Sequence, residues 1–311
     1  MLTFLTPVFK SLPANGKGRI ALTMAIPIGA NLGGMGTPIG TPPNAFAYKV
    51  LNDPTGMNMD ISFGDWMMFM VPLVLVLLVI SWLLLKWFFP FKQKTIELEI
   101  NGDMQHNWRT VVVAITFAVT IILWVFGKPI GINANMVAML PIAVFAFTGV
   151  ITAKDLQDID WGVIWMVAGG FALGLAMNGT GLAKTAMDAI PFGEWSPIVI
   201  LVISGLVTFF LSNFISNTAT AALMIPILAV VCEGMGDKLN IIGGTSTVLI
   251  GIAVAASAAM CLPISTPPNA IAYSTGLIEQ KDMSKTGLSV GIITLILGFS
   301  LLIVLGKQGL F

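Results

Sequence analysis

The stretch "PIGTPPNAFAY", residues 38–48, recurs almost unchanged as "PISTPPNAIAY" at residues 263–273. Nine of the eleven positions are identical, and the two copies begin 225 residues apart. Each copy places two adjacent prolines inside an otherwise apolar segment. Because proline removes a backbone donor and disfavours helix in the residue before it, each copy predicts a break in a helix. The sequence therefore predicts two similar broken helices within one fold.

The composition is that of a polytopic membrane protein. Of the 311 residues, 56% are hydrophobic and 10% are charged, whereas a soluble domain contains about 25% charged residues. Fifteen basic and fifteen acidic residues give a net charge of zero, which argues against a nucleic-acid partner. His106 is the only histidine, and Cys232 and Cys261 are the only cysteines. We therefore expect neither a disulfide framework nor a transition-metal site.

Several windows are long and apolar enough to be full membrane spans, because a helix needs about 20 apolar residues to cross the hydrocarbon core. These windows are residues 66–85, 110–126, 133–152, 161–183 and 288–306. Residues 195–214 and 215–234 are also apolar, but they meet at "SNFISNTAT" without a charged loop between them. We interpret them as a re-entrant hairpin with a polar tip. The broken helices are expected at residues 20–51 and 246–278, so the fold class is an all-α polytopic membrane protein.

The basic residues orient the chain, because lysine and arginine mark the cytoplasmic side of membrane proteins. They precede the first broken helix, flank the loop after residue 85 and follow the second broken helix. Four full spans and the hairpin lie between the two copies, so the copies are expected to run in opposite directions. Inverted repeats of broken helices are typical of secondary transporters, in which helix N-termini face anions and freed carbonyls coordinate cations.

An alternative is that each "TPPN" is merely a kink used for helix packing. The duplicated Thr, Pro, Pro and Asn argue against it, because they retain polar groups that a kink does not need.

The motifs resemble those of the divalent anion/sodium symporters, a family that includes sodium-coupled dicarboxylate and citrate carriers. The resemblance rests on "SNTAT" at residues 216–220, "GTPPN" at residues 40–44 and "STPPN" at residues 265–269. It implies an inverted-repeat, elevator-type transporter in the cell inner (plasma) membrane, a homodimer with a scaffold domain and a mobile transport domain. The partners would be a dicarboxylate substrate and the lipid bilayer, with Na⁺ as the coupling ion and no other cofactor.

The resemblance also implies which residues bind. A substrate carboxylate would be contacted by positions of the hairpin tip and of both breaks, namely Ser216, Asn217, Thr218, Thr266, Pro267, Thr41 and Pro42. One sodium site would use Ser212, Ile215, Asn217 and Ser265, partly through backbone carbonyls, and the other would use the carbonyl of Gly40. The remaining motif positions, with a structural role, are Pro43, Asn44, Pro268 and Asn269.

The chemistry of these residue types agrees with sodium-coupled transport of an anion. Sodium prefers oxygen ligands, which Ser and Asn side chains and unwound carbonyls provide. Neutral donors and helix ends can bind a dicarboxylate if sodium ions neutralise its charge. This arrangement avoids burying arginine or lysine in the membrane, and Lys49 is the one basic residue near either motif. The absence of acidic residues near the motifs favours sodium coupling over a proton relay.

One part of the resemblance lacks a counterpart. Members of the family have a first SNT motif shortly before the first broken helix, and this chain has none there. We therefore expect Met1 to be an internal methionine, with the first spans and half of the binding site encoded upstream of it.

The expected organisation divides the chain between two domains. The transport domain would comprise residues 1–87 and 191–311, and the scaffold spans residues 108–190, with residues 88–107 as a cytoplasmic or interfacial linker.

Other functions remain open at this point. The chain is also compatible with a proton-coupled carrier, or with a carrier of an oxyanion such as sulfate or arsenite. An inactive truncated fragment or an accessory membrane subunit is a further alternative. An intramembrane enzyme is disfavoured, because no serine has a histidine or lysine at membrane depth and no paired aspartates lie inside a span.

Overall fold

The computed structural model describes residues 16–53, 57–91, 107–127, 131–132, 134–157 and 195–310, with a few single positions between 158 and 194. Within these residues the chain is helical and contains no strand. The predicted all-α fold is therefore confirmed. The expected span at residues 161–183 and most of the linker at residues 88–107 lie outside the described residues.

Eleven helices with defined ends follow one another in the described ranges. They are α1 (Lys17–Met35), α2 (Pro42–Leu51), α3 (Phe63–Phe88), α4 (Trp108–Phe126), α5 (Ala134–Phe147), α6 (Ala153–Gln157), α7 (Pro197–Phe214), α8 (Asn217–Met235), α9 (Gly244–Ala258), α10 (Pro267–Ser274) and α11 (Gln280–Lys307). A 3₁₀ helix, Gly236–Ile242, connects α8 to α9. Helices α3, α4, α7 and α11, and the segment Asn217–Ile242, are long and apolar enough to cross a membrane. The spans predicted at residues 66–85, 110–126 and 288–306 are thus confirmed.

The span predicted at residues 133–152 is wrong in its length. Helix α5 ends at Phe147 and has 14 residues, fewer than the roughly 20 that a crossing helix needs. Gly149 adopts a φ of +67°, and the backbone N–H of Val150 donates to the carbonyl oxygen of Phe145 at 2.9 Å. A left-handed glycine with such a bond closes the C-terminus of a helix. The window was interpreted as one continuous span although it contains Gly149.

Both copies of the repeated motif break a helix with nearly the same backbone geometry. Thr41, before α2, has φ −137° and ψ 147°, and Thr266, before α10, has φ −143° and ψ 150°. The paired prolines occupy the first positions of α2 and α10. Proline is suited to that place because the N–H that it lacks would have no partner inside the helix. The two predicted broken helices are therefore confirmed.

Helix α9 lies at the centre of the described helices. Every residue from Ser246 to Ala258 is buried, and the helix packs against α2, α7, α8 and α11. A helix that is apolar on all sides is expected in such a position. Helix α11 runs antiparallel to α9, because Gly287 lies against Met260 near one end and Gly306 against Gly243 near the other.

Helices α7 and α8 are joined by Ile215 and Ser216 alone. The predicted pair of helices with a polar tip is therefore present. Each helix has 18 or 19 residues, a length close to that of a full crossing. That the pair enters and leaves the membrane on the same side stays a prediction.

Candidate functional site

Asn44 holds the first break together through its side-chain amide. Its Nδ2 atom lies 2.8 Å from the carbonyl oxygen of Thr37, 3.1 Å from that of Met35 and 3.3 Å from that of Gly34. The end of a helix leaves carbonyl groups without intrahelical partners. The asparagine therefore supplies the donors that the interrupted backbone lacks, which gives the predicted structural role of this residue a physical basis.

Asn269 performs the same task at the second break. Its Nδ2 atom lies 2.9 Å from the carbonyl oxygen of Met260, 3.0 Å from that of Leu262 and 3.3 Å from Ser265 Oγ. Met260 and Leu262 occupy the positions in the second copy that Met35 and Thr37 occupy in the first. The duplicated sequence therefore builds a duplicated hydrogen-bond pattern.

The two breaks contact each other through side chains. Asn31 Nδ2, in the last turns of α1, donates to Asn269 Oδ1 at 3.1 Å. Thr41 Oγ1 lies 3.0 Å from Ser257 Oγ, near the end of α9. The first break thus lies directly beside the second broken helix, although the two motifs are far apart in the sequence.

The tip of the α7–α8 pair meets the same end of α9. Ser212 Oγ lies 2.7 Å from Asn217 Oδ1 and 3.0 Å from the carbonyl oxygen of Ala256. The side-chain oxygen of Asn213 accepts a hydrogen bond from the backbone N–H of Cys261 at 2.8 Å. A hydroxyl has one hydrogen to donate, so Ser212 shares its hydrogen between two acceptor oxygens, of which that of Ala256 also accepts from the backbone N–H of Ala259 at 3.3 Å. Such an oxygen cluster is suited to a hard cation.

The hydroxyl groups at the helix starts retain hydrogens that a ligand could use. Ser216 Oγ accepts from the backbone N–H of Ala219 at 3.2 Å, and Thr266 Oγ1 accepts from that of Asn269 at 3.3 Å. Each hydroxyl therefore acts as an N-cap acceptor. A hydroxyl is both donor and acceptor, and neither of these two donates a hydrogen bond to another described residue, so its hydrogen stays available to a carboxylate.

The other predicted residues take varied positions. Thr218 is buried, and the side chain of Ile215 is exposed. Ser265 Oγ donates to the carbonyl oxygen of Leu262 at 2.7 Å. Among the hydrogen bonds of the described residues, none joins Ser265 to Ser212 or Asn217. A hydrogen bond thus joins Ser212 to Asn217, and Ser265 bonds within the turn of the second break; the sodium site of these residues stays a prediction.

The glycine of the first break is required by space. A Cβ atom at Gly40 would clash with the backbone carbonyl oxygen of Gly34. Pro42 and Pro43 follow directly as the first residues of α2, and Pro267 and Pro268 do so in α10.

The surroundings of the site are uncharged. Residues 20–48, 196–232 and 239–278 contain no Asp, Glu, Lys, Arg or His. Three helices, α2, α8 and α10, begin beside the ends of α1 and α9. Helix N-termini attract anions, and the carbonyl ends of helices attract cations. The site therefore offers partial charges of both signs without a formal charge.

Three polar residues in this region, Asn31, Asn213 and Ser257, were missed by reasoning from motifs. All three are buried. Two of them lie in apolar stretches, "IGANLGG" and "AASAAMC", in which a single polar residue was the available signal. Asn213 belongs to "SNFISN", where the Ser-Asn pair occurs twice, and this local duplication could have indicated it.

Broken helices that meet inside an apolar bundle, with polar but uncharged groups at the breaks, are typical of polytopic membrane transporters. A model of the citrate transporter family matches residues 1–243. The chain therefore belongs to the citrate transporter family, and its predicted resemblance to sodium-coupled dicarboxylate and citrate carriers is confirmed. It is a multi-pass protein of the plasma membrane, and its family is one of transporters, not of enzymes.

Named relatives support the same family. The chain is 30% identical over 303 residues to a sodium-dependent dicarboxylate transporter, SdcS, of Staphylococcus saprophyticus, covering 89% of this chain and 57% of the relative. It is 29% identical over 296 residues to an uncharacterized transporter of Haemophilus influenzae, covering 89% of this chain and 61% of the relative. An uncharacterized transporter of Methanocaldococcus jannaschii is 27% identical over 287 residues, covering 90% and 62%. The chain spans about three fifths of the length of these relatives.

Proposed function

We propose that the protein transports a di- or tricarboxylate such as succinate together with sodium ions. The observation on which the proposal depends is the oxygen cluster of Ser212, Asn217 and Ala256, which lies in uncharged surroundings where helix N-termini also begin. The oxygen cluster would bind the cation, and the helix N-termini would bind the anion.

The anion is bound by neutral donors. The free hydroxyl hydrogens of Ser216 and Thr266, together with the N-termini of α8 and α10, contribute partial positive charge. Two carboxylates would bring two negative charges into an environment without a compensating lysine or arginine. Bound cations supply that compensation, so the substrate and the coupling ion stabilise each other.

Sodium is the coupling ion in this proposal. A proton relay needs titratable side chains, and residues 196–232 and 239–278 contain no acidic residue or histidine. The name of the Staphylococcus saprophyticus relative, a sodium-dependent dicarboxylate transporter, points to the same ion and substrate class.

Residues 1–87 and 191–311 form the transport domain in this proposal, and residues 108–190 form the scaffold. The packing of α4 supports the boundary, because α4 packs against α3 and α5 and its only buried residues are Thr116 and Thr120. An apolar helix exposed to this extent requires lipid or a partner subunit around it. An elevator motion of the transport domain within a homodimer would use such a helix as its fixed support.

Uptake into proteoliposomes tests the function. The protein, as its gene encodes it, is expected to accumulate radiolabelled succinate under an inward sodium gradient, and not under a potassium or proton gradient of equal size. Citrate and sulfate are added as competitors to define the substrate class. Uptake driven by a proton gradient alone would support the proton-coupled alternative, and accumulation of radiolabelled sulfate without accumulation of succinate would support the oxyanion alternative.

The substitution Ser212→Ala is expected to weaken sodium activation selectively. It removes one of three clustered oxygens, and the loss of about 1.4 kcal/mol of cation binding raises the half-saturating sodium concentration about tenfold. The matched control is Ser204→Ala, since Ser204 lies two turns earlier on α7 and its hydroxyl bonds to carbonyls of its own helix. Equal sodium dependence in the two variants would place the cation elsewhere.

A further inference from the structure

A short path of named contacts connects the oxygen cluster to the first break. The carbonyl oxygen of Ala256 belongs to the cluster, and Ser257 is the next residue in the chain. Ser257 Oγ lies 3.0 Å from Thr41 Oγ1, and Thr41 follows Gly40. Two peptide units and one hydrogen bond thus connect the cluster with the glycine of the other break.

A second path runs through the two asparagines. Asn269 Nδ2 holds the end of α9 through the carbonyl oxygen of Met260, and its Oδ1 accepts from Asn31 at 3.1 Å. Asn31 lies one turn before Met35, whose carbonyl oxygen accepts a hydrogen bond from Asn44 Nδ2. Buried hydrogen bonds therefore connect the end of α1 with the turn that follows α9.

We propose that Ser257 and Asn31 are positioning residues that couple the two half-sites, so that cation binding at the Ser212 cluster favours cation binding at the first break. The proposal rests on the proposed function, because sodium is taken as the ion. Neither residue belongs to the repeated motif or to the SNT motif.

The burial of these groups makes the coupling effective. Ser257 is 1% exposed and Asn31 is 7% exposed, so water cannot readily replace the hydrogen bonds that they make. A hydrogen bond in such surroundings is stronger than one in water, and breaking it leaves a costly unpaired group. A cation that draws the Ala256 carbonyl towards itself therefore shifts Ser257, and with it Thr41 and Gly40, as one unit.

The two breaks differ in one respect that this coupling explains. Asn269 Oδ1 is satisfied by Asn31, whereas Asn44 Oδ1 is buried and has no hydrogen-bond partner among the described residues. The position in the second copy that corresponds to Asn31 is Ala256, which has no side-chain donor. The second break is thus fixed by Asn31 in addition to its own bonds, and the first break keeps an unused acceptor that can respond to a bound cation or donor.

Sodium titration of the purified protein in detergent, without substrate, tests the coupling. Trp66 serves as the fluorescent reporter, because its indole Nε1 donates to the carbonyl oxygen of Met35 at the first break, and Trp66→Phe identifies its share of the signal. The wild type is expected to give a Hill coefficient clearly above 1 for sodium. Ser257→Ala and Asn31→Ala are each expected to lower it to about 1.

The controls are buried polar residues on the same two helices. Ser246→Ala changes α9 far from the breaks, where Ser246 contacts Met59. Thr23→Ala changes α1 at a hydroxyl that donates to the carbonyl oxygen of Arg19, within its own helix. Both controls are expected to keep the wild-type Hill coefficient.

The outcomes separate the coupling from the function. A wild-type Hill coefficient above 1 that Ser257→Ala and Asn31→Ala leave unchanged overturns the coupling alone, and a wild-type value of 1 does the same. A wild type that responds equally to sodium and potassium overturns the proposed function as well. If Ser257→Ala fails to fold, Thr41→Val removes the same hydrogen bond from the other side, and its Hill coefficient decides the question.

Discussion

Replacing Asn269 with alanine is expected to abolish sodium-driven uptake and to destabilise the protein. The substitution removes the donor to the carbonyl oxygen of Met260, whereas the carbonyl oxygen of Leu262 keeps two bonds from Ser265, at 3.2 and 2.7 Å. A buried polar group left without a partner costs about 1–3 kcal/mol, and the Met260 carbonyl and the Asn31 side-chain amide are both left so. The acceptor for Asn31 is lost in the same step. The turn between α9 and α10 then has no fixed geometry, so Thr266 and the N-terminus of α10 lose their positions.

Two measurements check this result. Proteoliposomes with Asn269→Ala are expected to show uptake at background level, and the purified variant is expected to unfold at a lower temperature than the wild type. Asn240→Ala is the matched control, because Asn240 is an exposed asparagine of the 3₁₀ helix. Wild-type uptake by Asn269→Ala would show that the second break is held by something other than its asparagine.

The substitution Gly40→Ala is expected to have a comparable effect on uptake through a different cause. A Cβ atom at this position would clash with the backbone carbonyl oxygen of Gly34, which cannot retreat as the end of a flexible side chain can. Overpacking of this kind costs about 1–3 kcal/mol. Because the strain falls on the predicted sodium carbonyl of Gly40 and on the adjacent Thr41, uptake is expected to fall at least about tenfold.

Gly33, which directly precedes Gly34, provides the control for this prediction. A Cβ atom at Gly33 would meet no atom within 4 Å, so Gly33→Ala is expected to transport like the wild type. The second copy has a residue with a side chain, Ser265, in the place of Gly40. The backbone differs there, because α9 ends at Ala258 and Ala259, the counterpart of Gly34, lies beyond the helix with an extended ψ of 93°. Equal uptake by Gly40→Ala and Gly33→Ala would contradict the tight approach seen at the first break.

The sequence was sufficient for the broken helices because their cause is local. Paired prolines enforce the interruption by themselves, and Asn44 and Asn269 were placed among the structural residues for the same reason. The polar tip between α7 and α8 could also be predicted from the sequence, since Ser216 and Asn217 interrupt two apolar stretches that no charged loop separates.

The contacts between the breaks could not be predicted in the same way. Asn31 and Asn269 are 238 residues apart, and no local pattern indicates which polar side chains meet across such a distance. The length of α5 was also misjudged, because a left-handed Gly149 ends the helix inside a window that was interpreted as one continuous span. The grouping of Ser265 with Ser212 in one sodium site came from resemblance alone, and it stays a prediction.

The meeting of the two breaks is tested most directly by cross-linking. Thr41→Cys and Ser257→Cys are combined in a protein whose native Cys232 and Cys261 are replaced by alanine. The two hydroxyl oxygens lie 3.0 Å apart, so the introduced sulfur atoms need only a small adjustment to reach disulfide geometry. Thr41→Cys with Ser246→Cys is the control pair, since Ser246 lies on the same helix about 16 Å from Ser257.

We expect copper phenanthroline to join the first pair rapidly, to leave the control pair unjoined, and to stop sodium-driven uptake until the disulfide is reduced. Failure of the Thr41→Cys, Ser257→Cys pair to cross-link faster than the control pair would contradict the account, because the two broken helices would then not meet at one site.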